Sequence, residues 1–354
     1  MIEELRRRRS WLDQGKKVGV ATVARVSGSA PRPVGSRFMI SSAGEMAGSV
    51  SGGCVENDVF LRLQKVLDDE RPELVGYGIA DEDAFEVGLA CGGRIQVFLE
   101  DQSASPVLDA IEELIEADGY GSLVTVVGGE SVGQSALVVD GRVMVGAIPS
   151  AIEPSVIADA AKLLERGMNL TLEYGDHEEA YVESIAPAPH MLIFGAVHIA
   201  QELVPMAKRI GYRVTVSDAR PAFLTRDRFP DADQLLPGWP DQLDLAFDRG
   251  TAVVILSHDA RFEDPLWPQV LRSDVAYIGA MGSSGTTRRR RQRLLNAGYD
   301  ESSIDRIHGP IGKDIGASTP AEIAVAILAE VIAATRRPGE ELALIGKARY
   351  LPSD

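Results

Sequence analysis

Two cysteines, Cys54 and Cys91, are the only thiols in the 354-residue chain, and both sit beside glycines. The stretch Gly48-Ser-Val-Ser-Gly-Gly-Cys54-Val-Glu56-Asn57 feeds a helical pattern, which puts Cys54 near a first helical turn; Cys91-Gly-Gly93 is a second loop. Free N–H groups at a helix start favour a thiolate. A thiolate is a soft ligand for copper, zinc, iron–sulfur or another thiophilic metal, so Cys54 is the candidate metal ligand. On spacing alone a plainer reading is simpler: two inert, half-buried cysteines, or an adventitious disulfide. The pair forms neither a CxxC nor a zinc spacing, which fits a reducing cytoplasm.

A second constellation lies past the middle of the chain. Met191-Leu-Ile-Phe-Gly195-Ala-Val-His-Ile-Ala200 reads as strand, tight turn and helix, and Asp218 follows Gly195 by 23 residues at the end of the next strand. Gly195 permits the turn, the helix start offers N–H groups to a phosphate, and Asp218 stands where a carboxylate accepts from ribose hydroxyls. The fingerprint departs from the glycine pattern at Val197 and Ala200. A Rossmann-like unit that binds nothing is the plain alternative. Ser257-His258-Asp259 ends one later strand and Gly279-Ala-Met-Gly282 the next, so His198, His258, Gly279 and Gly282 fall at the edge where open α/β sheets bind ligands. Gly309-Pro-Ile-Gly312-Lys-Asp-Ile-Gly316 lacks the spacing and the Ser/Thr of a Walker A loop. The runs Arg6–Arg9 and Arg288–Arg291 with Arg293 read as solvated helix faces.

These residues need a scaffold, and the chain supplies two kinds. Up to Ile185 the signal is strand-rich: Lys17–Val26, Arg37–Ile40, Met46–Val50, Arg94–Glu100, a meander from Ser122 to Val145, and Ala180–Ile185. Helical patterns fall at Met1–Gln14, Val55–Leu67, Pro106–Ala117 and Ile157–Gly167. Ala186-Pro-Ala-Pro189 breaks regular structure. Beyond it, apolar β-branched runs alternate with helices, which implies a parallel sheet covered on both faces. The expectation is an α/β chain: an N-terminal α+β domain with a mixed sheet over 1–186, then a C-terminal Rossmann-type doubly wound parallel sheet over 187–354.

A net charge of −16 argues against nucleic-acid or anionic-membrane partners. No stretch nears the ~20 apolar residues of a membrane span. The opening MIEELRRRRSWLDQG has acidic residues before its arginines and no apolar segment, so it does not read as a secretory leader. A cytoplasmic protein is expected. A two-fold homodimer is the expected assembly, because the closing helix Pro320–Ala334 is strongly apolar.

At the two glycine-rich regions a specific resemblance enters. GSAPRPVGSRFMISSAGEMAGSVSGGCVEND and LACGGRIQVFLE resemble the N-terminal region of the XdhC/CoxI family, accessory factors of xanthine dehydrogenase and related molybdenum hydroxylases. LIFGAVHIAQEL, VTVSDARPAF, VVILSHD, YIGAMGSS and IHGPIGKDIGASTPAEIAVAILAE are similar, in order, to that family's Rossmann domain. The resemblance covers about 10 to 335 and is weakest over roughly 103 to 180. It implies a factor that binds molybdenum cofactor (molybdopterin or its dinucleotide form), protects it during sulfuration and passes it to a xanthine dehydrogenase-type molybdenum hydroxylase. A cysteine desulfurase-type sulfur donor would be the other partner. Carried over by position, Cys54 and Cys91 are the cofactor-side residues, with Glu56 positioning or tuning Cys54. Gly195, Val197, His198 and Asp218 form the nucleotide side. The chain then reads as a cofactor chaperone more than an autonomous enzyme; the rivals are an NAD(P)-dependent oxidoreductase and a nucleotide sensor.

Overall fold

The computed structural model describes residues 1–78, 93–175, 177–243, 245–257, 259–336 and 342–348. The chain divides into two compact units, Met1–Ala186 with Glu341–Asp354, and Pro187–Glu340.

The first unit holds two sheets, and every strand pair described in it is antiparallel. One sheet runs, in spatial order, Met46–Gly48, Arg37–Ser41, Val18–Ser27, Arg94–Asp101, Glu73–Tyr77. Helix Glu56–Asp69 covers it with Val59, Leu63, Val66 and Leu67, one helical stripe, all buried. Each such side chain contributes about 1.5–3 kcal/mol. The other sheet runs Lys347–Ala348, Leu170–Tyr174, Glu178–Ile185, Gly121–Gly128, Ser135–Val139, Arg142–Gly146, under helix Glu153–Arg166. Charged side chains tie the sheets together: Arg37 pairs with Glu183 and Arg25 with Glu179. Thr171 Oγ1 also donates to the Ala24 carbonyl at 2.7 Å.

Three features differ from the sequence reading. The first unit has antiparallel sheets instead of a mixed one, because turns rather than crossover helices join neighbours such as Arg37–Ser41 and Met46–Gly48. The tail, expected with 187–354, returns to the first unit: Ala348 pairs with Leu172, and the buried Asp159 accepts from the amides of Ile345 (2.8 Å) and Gly346 (2.7 Å). Neither arginine run is wholly solvated. Arg8 is buried, donating to the Gln102 carbonyl at 2.7 Å and pairing with Asp109; Arg290 is buried against Glu263 at 2.8 Å. A guanidinium is buried where a carboxylate and carbonyls meet its fork.

The second unit is one six-stranded parallel sheet, in the order Gln234–Pro237, Arg213–Asp218, His190–Phe194, Thr251–Ile255, Tyr277–Ala280, Ile307–His308. Numbered within the unit this is 3-2-1-4-5-6, the doubly wound Rossmann order. Helices His198–Arg209 and Pro320–Arg336 cover one face; Phe262, Trp267, Leu294 and Ile304 pack on the other. Among the described residues no helix is long and apolar enough to cross a membrane.

Candidate functional site

The strand order reverses at His190–Phe194, and a cleft of about 490 Å³ opens beyond the carboxyl ends there. Its lining includes Gly195, Val197, Asp218, Arg220, Trp239 and Phe262. Gly195 takes φ +115°, and a Cβ there would meet the backbone of Leu256 and Ser257 at 3.3 Å. Only glycine satisfies both demands. The helix that follows starts at His198 with no side-chain cap on its N-terminal amides.

Asp218 braces this turn. It is 3% exposed; Oδ2 accepts from the Ala196 amide and from Arg220 Nη2, both at 2.8 Å, and Oδ1 accepts from the amide and Nε of Arg220, both at 2.9 Å. Burial pushes the carboxyl up, but the hydrogen bonds from Arg220 and from the amides of Ala196 and Arg220 outweigh it and hold it below its ordinary value. The carboxylate's lone pairs are thus taken, and the group facing the cleft is the Arg220 guanidinium, stacked 4.5 Å from the centre of the Phe223 ring.

The remaining nucleotide-side residues scatter. Val197 is half-buried on the cleft wall, while His198 is exposed on its helix and outside the lining. Gly279 is buried, and a Cβ there would strike Tyr277 and Ile311, so packing demands the glycine. Gly282, at φ +142°, is crowded by Thr286 at the start of helix Ser284–Asn296. Neither glycine lines the cleft. The loop after Gly309 is tied by Glu330, which accepts from Tyr277 Oη (2.6 Å) and the Gly312 amide (2.8 Å). His258 lies outside the described residues.

In the first unit the centre is the loop before helix Glu56–Asp69. Glu56 Oε1 accepts from Ser49 Oγ and from the amides of Val50 (3.2 Å) and Ser51 (2.9 Å); Oε2 accepts from Ser51 Oγ and the Gly53 amide (2.8 Å). Ser51 Oγ in turn takes the amides of Cys54 (2.9 Å) and Val55 (3.0 Å). Burial raises the Glu56 carboxyl, but the Ser49 and Ser51 hydroxyls and the Ser51 amide carry it down to about 2. Glu56 therefore shapes the loop, and the amides just ahead of the helix serve Ser51 and Glu56 rather than sulfur. The Cys54 thiol is free and exposed, and the neighbouring Gly53 (φ +115°) has open space where a Cβ would stand. Among the described residues no three His, Cys, Asp or Glu side chains gather as a metal cluster. Cys91 lies outside the described residues.

Sequence reasoning passed over Arg220, Arg261, Trp239 and Phe262. A signal was present for the arginines: Asp-Ala-Arg recurs at 218–220 and 259–261, each time just past an apolar run. For the aromatic pair there was none, because the tertiary fold alone brings Trp239 within 5.9 Å of Phe262.

Fold and loops together define a two-part protein: a Rossmann-type unit, and an antiparallel unit carrying an exposed thiol on a glycine-rich loop. Residues 191–331 match the XdhC Rossmann domain, and residues 11–78 match the XdhC and CoxI family. A Bacillus subtilis protein named as a probable xanthine dehydrogenase component is 30% identical over 334 residues, 92% of this chain and 96% of that protein. The Escherichia coli molybdenum cofactor insertion chaperone PaoD is 25% identical over 90% of this chain and 84% of its own length. A Bacillus halodurans crystal structure described as a xanthine dehydrogenase superposes with a TM-score of 0.70 at 26% identity, covering 95% of this chain and 96% of that one. The chain belongs to the XdhC and CoxI family.

Proposed function

We propose that the chain is a maturation factor for a xanthine dehydrogenase-type molybdenum hydroxylase, holding molybdenum cofactor and delivering it to the apo-enzyme. The observation that carries this reading is the exposed Cys54 thiol on the loop braced by Glu56, in a chain that aligns along most of its length with a molybdenum cofactor insertion chaperone. The residues fit such a group: a soft sulfur donor faces solvent, and Gly53 beside it leaves room for a bulky partner. When bound, the cofactor supplies the thiophilic metal. This chain's part is to offer the thiolate, hold its loop in one shape and take the nucleotide end in the Rossmann unit.

The finer roles belong to the same proposal: shelter during sulfuration, a cysteine desulfurase-type donor, and Cys91 as a second contact. So do the cytoplasmic setting and the homodimer. The competing reading, an NAD(P)-dependent oxidoreductase, rests on the Rossmann order, but Asp218 has spent its lone pairs on Arg220 and Ala196 and has none for a ribose diol.

The test is to purify the chain after expression with molybdate and to follow bound pterin by fluorescence and mass, beside Cys54→Ser. The serine variant should fold normally, lose cofactor and fail to activate apo-dehydrogenase, because a hydroxyl is neither ionised nor soft at neutral pH. A serine variant that retains and delivers cofactor normally, from a protein that oxidises NAD(P)H with an organic substrate, would instead establish the oxidoreductase.

A further inference from the structure

We propose that the cleft over the parallel sheet is a nucleoside-diphosphate site in which Arg220 and Arg261 receive the phosphates and Trp239 with Phe262 receives the base. The proposal rests on the reading of the second unit as the nucleotide-holding part and names the chemistry it selects.

The two strands that flank His190–Phe194 end in the same device. After strand Arg213–Asp218, Asp218 accepts from the amide, Nε and Nη2 of Arg220 at 2.9, 2.9 and 2.8 Å. After strand Thr251–Ile255, Asp259 accepts from the amide, Nε and Nη2 of Arg261 at 3.0, 3.1 and 2.7 Å. Both carboxylates and both arginines line the one cleft. Each guanidinium is pinned along its Nε–Nη2 edge, which leaves Nη1 to face a ligand. The side chains of Arg220 and Arg261 are 57% and 83% exposed, so their outer edges are open to solvent.

A pinned guanidinium has already lost the freedom that a phosphate contact would otherwise cost, and its planar fork matches phosphate oxygens. The chain as a whole, at −16, repels anions, so an anion that settles here needs local donors. The uncapped start of helix His198–Arg209 faces the same turn and adds to them.

The rest of the cleft is apolar and flat. Leu256 and Phe262 line it, and Trp239 at its wall is tilted against Phe262 at 5.9 Å. Trp239 is 40% exposed, whereas Trp11 and Trp267 are 3% and 1%. An exposed indole on a cleft wall, backed by a second ring, is a stacking platform for a planar base. The volume of about 490 Å³ falls in the ordinary range for small-ligand sites.

The same exposure supplies the probe, because among the three tryptophans acrylamide reaches Trp239. The full-length protein is titrated with ADP, CDP, NAD+ and NADP+, with adenosine and inorganic pyrophosphate as half-ligands, and read by acrylamide quenching and calorimetry. The diphosphates should shield Trp239 and bind about tenfold or more tighter than adenosine. Arg261→Ala removes an exposed side chain, so it should weaken ADP by about tenfold with an unchanged melting temperature. Arg220→Lys, which keeps the charge but not the fork, should weaken it similarly. Trp239→Ala should lose discrimination among bases and keep pyrophosphate binding. The ranking of ADP, CDP, NAD+ and NADP+ tells which diphosphate the cleft prefers.

The proposal is overturned if no titrant shields Trp239, if adenosine binds as tightly as ADP, or if Arg261→Ala and Arg220→Lys both bind ADP like wild type. A protein that binds ADP as described but cannot activate apo-dehydrogenase refutes the delivery role alone. One that delivers cofactor in a Cys54-dependent way but binds no diphosphate refutes the cleft assignment alone.

Discussion

Two loops in this protein are built around a carboxylate and a glycine at φ +115°, and they differ in what that carboxylate holds. Glu56 collects only neutral donors, the hydroxyls of Ser49 and Ser51 and the amides of Val50, Ser51 and Gly53. Its negative charge is spread over those donors and the loop stays anionic, with a thiol exposed beside it. Asp218 collects the Ala196 amide and a whole guanidinium, so its charge is cancelled and a cation faces the cleft. One carboxylate thus supports a soft donor and the other an anion receptor. The glycines divide the same way: Gly53 has open space around its Cβ position, while Gly195 has the backbone of Leu256 and Ser257 at 3.3 Å.

The comparison can be broken most directly at Asp218. Asp218→Asn turns a donor toward either Ala196 N or the guanidinium in a buried position, and should cost about 3 kcal/mol. Thermal and urea unfolding would measure it; a cost below that of Glu56→Gln would mean that burial does not separate the two braces. Gly195→Ala combines left-handed strain with a backbone contact and should cost about 2–3 kcal/mol. It should also close part of the cleft, which ADP affinity would report.

Glu56→Gln sharpens the comparison through pH. The folded-state value of about 2 lies below the ordinary 4.5, so the charged carboxylate stabilises the fold above pH 4.5. That contribution disappears as pH falls from 4.5 through 2. For a half-buried group, solvent screening leaves about 2 kcal/mol of it. The difference in melting temperature between wild type and Glu56→Gln should therefore shrink on acidification; a gap that stays constant down to pH 2 would remove the ionised brace. The smallest effect is expected from Gly53→Ala, about 1 kcal/mol from backbone strain alone, with the fold kept and the Cys54 loop shifted in its reactivity toward a thiol reagent.

The sequence by itself determined the apolar strands His190–Phe194 and Arg213–Asp218, the turn at Gly195, the break near Ala186 and the amphipathic helix Glu56–Asp69. Each is local: a period of two or 3.6, a glycine where φ must be positive, a proline pair where the pattern changes. The strands Glu73–Tyr77, Gln234–Pro237 and Ile307–His308 were not legible, because each is a sheet edge and short or only partly buried, with little pattern of its own. The return of the tail to Leu172 and Asp159 was not legible either, since its partners are nearly 190 residues away in the chain. The candidate site divides on the same line. Glycine and cysteine spacing pointed to Cys54, Gly195 and Asp218. That Asp218 would hold an arginine instead of a ribose, that Glu56 would gather a loop, and that Trp239 would meet Phe262 were decided only by tertiary structure. A hydrogen-bond acceptor takes the donors that folding brings closest, and sequence order does not say which those are.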